Sequence, residues 1–420
     1  GSISDAVLHK LACANFEDIE FDNNPNIFAF RNKTYNLNTG IFIEPQREDY
    51  ILTTTGYDYE ICDPKDVATL ESLFDKIFPD KTICDYYKHV LATALYGHPI
   101  EKFFIANGSG GNGKGVLNEL MQELLGNYCY TAPNAVLLTQ LKSGNNPEVA
   151  GMNNKRLVIY REPTSSNKKL CLATIKELTG GSQINARMNY SNNTKTRLRA
   201  THILECNEKP KIDGRLDESA GRRLADIPFV STFTTDEDLL VNDHLDNVFK
   251  ADGYFKSDDF KNRFKFVLFD MLIKFMTDFK TRTGKYVYEE IIAPPIVLKR
   301  TKNYIVASDE LKEWFDGYYE LIPIEKKSVK EIIDEKLFVK CKDVFNKFKQ
   351  SEHFLLLSKT DKRTKTQKWF YEYLENNLHF KMYFKTTLAS ANNKYTNCLI
   401  YFKERDYIES DDDEDEDQEI

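Results

Sequence analysis

"IANGSGGNGKGVLNELMQELLG", residues 105–126, is the stretch on which the reading of this chain turns. Gly108, four residues, Gly113 and Lys114 have the G-x-x-x-x-G-K spacing. An apolar run, KFFIA, precedes them and an amphipathic helical pattern follows. Glycines let the backbone curl so that successive N–H groups face one anion. Lys114 adds charge, and the helix that opens at Gly115 adds its dipole. The stretch reads as a cradle for nucleotide phosphates, made of Gly108, Ser109, Gly110, Gly111, Asn112, Gly113, Lys114, Gly115 and Val116. One position departs from the usual pattern. Gly115 stands where such loops carry a Ser or Thr hydroxyl for Mg²⁺. Mg²⁺ keeps several waters and can be held by phosphate oxygens and a carboxylate, so the departure bears on metal affinity before it bears on fold. Asn112, Ser109 and Asn118 are nearby polar candidates for the metal.

Three further stations follow in chain order. "KRLVIYREP" puts Glu162 just past an apolar strand, where a carboxylate can polarise an attacking water and, through water, support a metal. Arg161 precedes it, where a second acid is common. "ATHILECNEKP" puts Asn207 past another apolar strand, in reach of a terminal phosphate. "RLDESAGRRLADIPF" supplies Arg222 and Arg223, suited to reach a neighbouring subunit's nucleotide. Taken singly, each has a plainer reading: a surface Glu, a turn Asn, a solvated arginine pair.

Strand and helix patterns alternate through this region, which favours a parallel sheet covered by helices. Before it, residues 20–60 read as strands and Asn-rich turns and 64–98 as helices. From about 260 the pattern is mainly helical, broken by APP near 293, and 300–405 is rich in Lys and aromatics. At 420 residues with 41% hydrophobic content, two or three packed domains are expected. The expected divisions are 3–100, 101–290, 300–405 and an acidic tail, 406–420. Nine of the last twelve residues are acidic; taking those nine charges out of a net −8 leaves the rest of the chain at +1. Such a run reads as a solvated tail. The eight cysteines have no CxxC spacing and no histidine cluster, which argues against a zinc site or a disulfide framework. No apolar run nears the ~18 residues of a membrane span, and no secretory leader or membrane partner is expected. The leading Gly1-Ser2 reads as a cloning scar, so the expectation is a fragment of a longer chain.

The four stations in this order resemble superfamily 3 helicases of the AAA+ class. "IKELTGGSQINARMNY" (175–190) is similar to an extra motif of the poxvirus-type primase-helicases of nucleocytoplasmic large DNA viruses and some phages and plasmids. Residues 26–59 resemble the domain ahead of the helicase in that family, and 303–320 its continuation into a winged-helix-like region. The resemblance implies an α/β AAA+-type P-loop ATPase with a parallel sheet, an α+β collar-like domain before it and a helical, winged-helix-like region after it. It also implies ATP and Mg²⁺ as cofactors and a homo-oligomeric ring, commonly a hexamer. Lys114 and Glu162 would act in cis, Asn207 as the γ-phosphate sensor, and Arg222 or Arg223 in trans. Single-stranded or forked DNA is the implied partner, with a primase domain upstream in the full-length chain, in a host cytoplasmic viral factory or nucleus. In "MNYSNNTKTRLRA" a hairpin turn at 192–194 is followed by Lys195, Arg197 and Arg199 on one strand face; with Arg187 these are candidate DNA contacts. The same pattern also suits a basic edge strand that discourages aggregation. The segment 340–384 reads equally as a DNA-binding winged helix or a docking module. Two other functions fit parts of the pattern: an ATP-binding DNA-assembly platform with little turnover, which Gly115 and Arg161 would allow, and a small-molecule phosphotransferase, disfavoured because it needs neither Asn207 nor the arginine pair.

Overall fold

In a computed structural model of the chain the described residues are 20–141, 144–162, 169–181, 183–187, 195–213, 218–241, 246–323, 326–355, 359–377, 379–391 and 393–405. They divide into two compact units: residues up to 213 with 222–303, and 304–405 with the short 218–221 stretch.

The first unit opens with three short antiparallel strands, β1 (Ile27–Ala29), β2 (Thr34–Asn36) and β3 (Ile41–Ile43). The β2–β3 turn is set by Asn36, whose Oδ1 accepts from the backbone N–H of Asn38 at 3.0 Å and Thr39 at 3.1 Å. Helices α1 (Pro64–Ile77) and α2 (Lys81–Thr93) each start behind an aspartate. Asp63 accepts from the Lys65 N–H at 3.0 Å and Asp80 from the Thr82 N–H at 2.8 Å, satisfying donors that a helix start leaves open.

Next come β4 (Phe103–Asn107), α3 (Lys114–Leu125), β5 (Cys129–Ala132) and β6 (Leu157–Arg161). They are followed by the hairpin strands β7 (Gln183–Arg187) and β8 (Lys195–Arg197), then β9 (Thr201–Cys206) and β10 (Leu224–Pro228). Five of these make one sheet in the order β10-β4-β9-β6-β5, every neighbouring pair parallel. Near-continuous apolar strands are what a sheet buried on both faces requires. The expected α/β class with a parallel sheet is therefore found.

Helix α4 (Asp258–Thr283) opens at Ser257, whose Oγ accepts from the Phe260 N–H at 3.1 Å, and closes on Gly284 at φ +74°. Its Phe269 ring lies 5.7 Å from Phe28 and 5.2 Å from Phe30, centroid to centroid, so β1 shares its core with α4. The expected boundary near residue 100 is thus not a break in packing. One core runs from Phe28 through Tyr87, Phe104 and Leu120 to Phe269 and Val297. Three three-residue strands cannot bury enough to stand alone. Arg156, 6% exposed, ties these layers together: it donates to the carbonyls of Leu95 and Ile27 and lies 4.3 Å over the Tyr128 ring. Helix α5 (Pro295–Ala307) follows.

The second unit holds α6 (Glu310–Tyr318), β11 (Phe338–Lys340), α7 (Cys341–Gln350), α8 (Gln367–Asn376), β12 (Phe384–Ala389) and β13 (Lys394–Ile400). Its antiparallel sheet runs β11-β13-β12 over a core that includes Phe315, Phe348, Phe370 and Phe380. The expected hairpin tip at 192–194 and the acidic tail lie outside the described residues. Among the described residues no helix is long and apolar enough to cross a membrane.

Candidate nucleotide-binding site

The glycine loop leaves the carboxyl end of β4 and returns at the first turn of α3. Two of its glycines are sterically required. A Cβ on Gly108 would lie 2.3 Å from the Phe229 carbonyl, and one on Gly113, at φ +85°, would lie 2.6 Å from the Ile77 side chain. Asn112 is buried at 1% exposure, and its Oδ1 accepts from the Lys114 N–H at 3.3 Å, which fixes the loop's exit into the helix. The Phe233 N–H donates to the Gly111 carbonyl at 2.7 Å. Ser109, Gly110 and Gly111 form the exposed arc.

Lys114, Glu162 and Asn207 meet. Lys114 Nζ donates to Asn207 Oδ1 at 2.6 Å and to the Gly108 carbonyl at 2.8 Å. Glu162 accepts from the backbone N–H of Asn207 at 2.9 Å and of Glu208 at 2.8 Å, one to each carboxylate oxygen. Parallel pairing explains the meeting: Glu162 and Asn207 follow the ends of the adjacent strands β6 and β9, and β9 pairs also with β4, which feeds the loop. Burial pulls the Lys114 ammonium below the ordinary lysine value; Cys206, Glu205 and Glu162 pull it back up.

Apart from Asn118, the other groups at this end of the sheet were not among the sequence candidates. Glu205 is two residues before Asn207, and its Oε1 accepts from Asn118 Nδ2 at 2.6 Å. Asn118, fully buried on α3, accepts the Tyr87 hydroxyl proton on its own oxygen. Burial pushes the Glu205 carboxyl above its ordinary value, against the Asn118 hydrogen bond and the charges of Arg161 and Lys114. Asn107 Nδ2 donates to the Asn207 carbonyl at 2.9 Å, while its Oδ1 accepts from Arg300 at 3.0 Å. Arg300 and Lys209 also flank Asp226, which is fully buried in β10, at 3.4 and 2.7 Å. Only the strand alternation of Glu205 against Leu204 and Cys206 could have signalled its direction.

The remaining candidates lie elsewhere. β10 pairs Leu224 with Phe103, so Arg222 and Arg223 sit at the end of β4 opposite the glycine loop, about 13 Å away along the strand. Arg223 donates to Thr179 Oγ1 at 3.1 Å and lies 3.7 Å from Glu101. Arg222 is exposed, and among the described residues no hydrogen bond or ion pair holds its guanidinium. The hairpin of β7 and β8 pairs Lys195 with Asn185. Arg187 and Lys195 stand on its two strands, and their side chains lie outside the described residues. Arg197 is not an open cation: it ion-pairs with Glu20 and donates to Asn23 at 3.1 Å. Arg199 likewise donates to the Asp22 carbonyl at 2.9 Å, so both arginines tie the hairpin base to the segment ahead of β1. Among the described residues no cluster of three His, Cys, Asp or Glu could hold a metal by itself. A cation here would depend on phosphate oxygens.

Residues 3–83 match the family described as D5 N terminal like, and residues 106–223 a family of unknown function, DUF5906. A protein of Acanthamoeba polyphaga mimivirus named as a helicase is 29% identical over 73% of this chain and 32% of its own length. Primase D5 of fowlpox virus is 28% identical over 63% of this chain and 35% of its own. This chain is related to the viral primase-helicases. The uncoating factor of vaccinia virus (strain Western Reserve), 27% identical over 61% of the chain and 35% of its own, is a further relative. The chain spans about a third of the length of these relatives. An apo structure of the NrS-1 C-terminal region aligns over 96% of this chain and 90% of that one, with 14% identity and a TM-score of 0.46.

Proposed function

We propose that this chain is the ATP-dependent DNA helicase motor of a viral primase-helicase, an AAA+-type P-loop ATPase of superfamily 3 that works as a homo-oligomeric ring, commonly a hexamer, on single-stranded or forked DNA. The observation that carries the reading is the meeting of Lys114, Asn207 and the Glu162 carboxylate beside the glycine loop. Lys114 and the loop N–H groups bind the phosphates, Asn207 senses the terminal one, and Glu162 orients the attacking water. ATP and Mg²⁺ are the cofactors; bound Mg²⁺ neutralises charge on the phosphates. The sheet order β10-β4-β9-β6-β5 supports the AAA+ assignment. The exposed Arg222, a strand's length from its own loop, supports a ring in which each subunit completes its neighbour's site. The names of the viral relatives support DNA as partner and a primase domain upstream. Lys195 and Arg187 remain the hairpin's candidate DNA contacts, with Arg197 as an internal tie. The viral origin of the relatives supports a host cell as the setting, in a cytoplasmic viral factory or the nucleus.

A second reading, an ATP-binding assembly platform without turnover, draws on Gly115 and Arg161. ATP hydrolysis with and without single-stranded DNA separates the two. On the motor reading DNA stimulates turnover, and Lys114→Ala and Glu162→Gln each abolish it. Nucleotide binding with no turnover under any DNA favours the platform.

A further inference from the structure

We infer that Glu205 is the carboxylate that holds the divalent cation of a bound nucleoside triphosphate, replacing two groups the chain lacks: a hydroxyl at 115 and an acid at 161. This rests on the nucleotide reading above. In-register pairing sets Glu205 on β9 directly beside Arg161 on β6, and registered residues of parallel neighbours share a sheet face. A carboxylate missing from one strand is therefore present on the next, on the same face. From the helix side, Asn118 lies three residues beyond Gly115 and so on its face of α3, and its Nδ2 holds Glu205 Oε1 at 2.6 Å. Glu205 thereby lies against the face of α3 that carries Gly115, and nothing lies within 4 Å of a Cβ built on Gly115.

The oxygens of four neighbouring side chains are engaged. Glu162 has one backbone N–H on each oxygen, Asn112 Oδ1 accepts from Lys114, and Asn118 Oδ1 accepts from Tyr87. Asn207 Oδ1 accepts from Lys114 Nζ. Among the described residues Glu205 Oε2 accepts no hydrogen bond. One carboxylate oxygen, phosphate oxygens and waters make an ordinary Mg²⁺ shell.

The test is a Mn²⁺ titration by electron paramagnetic resonance, with the non-hydrolysable analogue AMP-PNP bound. Glu205→Gln is expected to weaken Mn²⁺ binding at least tenfold, with metal-free AMP-PNP affinity within about twofold of wild type. Gly115→Ser fits the open space, so adding it to Glu205→Gln should recover most of the lost Mn²⁺ affinity. If Glu205→Gln does not fold, Glu205→Asp, which draws the carboxylate back by one methylene, should show the same loss. Unchanged Mn²⁺ affinity in a folded Glu205 variant overturns the inference. Wild-type protein that binds no AMP-PNP overturns instead the nucleotide reading beneath it.

Discussion

Asn207 Oδ1 lies 2.6 Å from Lys114 Nζ, so the amide at the end of β9 and the cation of the glycine loop are in direct contact. The same Asn207 is held from behind, its N–H by Glu162 and its carbonyl by Asn107. Its side chain is the one part of the residue aimed at the loop. Preorganised polar groups of this kind act on charge that develops in a transition state rather than on ground-state affinity. Asn207→Ala should therefore lower the turnover number about 100-fold or more. A fluorescent-nucleotide titration should shift far less than turnover does.

The two arginines before β10 should separate cleanly. Arg223 is held by Thr179 and Glu101, whereas Arg222 is exposed. Doping Arg222→Ala subunits into wild type should depress hydrolysis more steeply than their mole fraction, because each spoils a neighbour's site. Arg223→Ala should show instead as a lowered melting temperature. A linear dilution curve for Arg222→Ala would argue against action across an interface.

His202 gives the stability a pH dependence. It is fully buried beside Tyr160, whose hydroxyl lies 3.0 Å from His202 Nδ1, and burial pulls its pKa from 6.5 down to about 4. The depressed value means that the unfolded chain takes up a proton before the folded one does. Stability is full above about pH 6.5 and falls as pH drops toward 4. Between pH 7 and 4.5 the loss from this residue should be on the order of 2 kcal/mol. Urea unfolding should show His202→Phe escaping that share of the acid-side loss; parallel curves for the two proteins would refute it.

Arg156 should be a structural keystone. Removing it leaves the carbonyls of Leu95 and Ile27 without a donor and opens space under the Tyr128 ring. Arg156→Ala should cost about 3 kcal/mol, read from denaturant midpoints. Lys should recover only part of this, since an ammonium lacks the planar, pre-set fork that the guanidinium lays across the Tyr128 ring to reach both carbonyls.

Much of the parallel sheet was legible because its strands are short apolar runs: Phe103–Asn107, Leu157–Arg161 and Thr201–Cys206 each appear where the pattern suggests. β10 was not. Its sequence, LADIP, places Asp226 in mid-strand, and only the tertiary partners Lys209 and Arg300 make a fully buried aspartate tolerable there. Glu205 was hidden for a related reason. A lone acid near a strand end looks solvated until the helix carrying Asn118 is laid over it. Arg197 erred the other way, since a basic alternation says nothing of acids or amides brought from elsewhere in the chain, here Glu20 and Asn23.

Ile77, the last residue of α1, packs where a Cβ on Gly113 would have to go. The floor under the phosphate loop is thus supplied by a helix that precedes the sheet. A fragment trimmed to begin at β4 would lose that floor, along with α2 and its Tyr87 hydroxyl. The smallest piece of the chain that keeps the loop supported has to start upstream of α1.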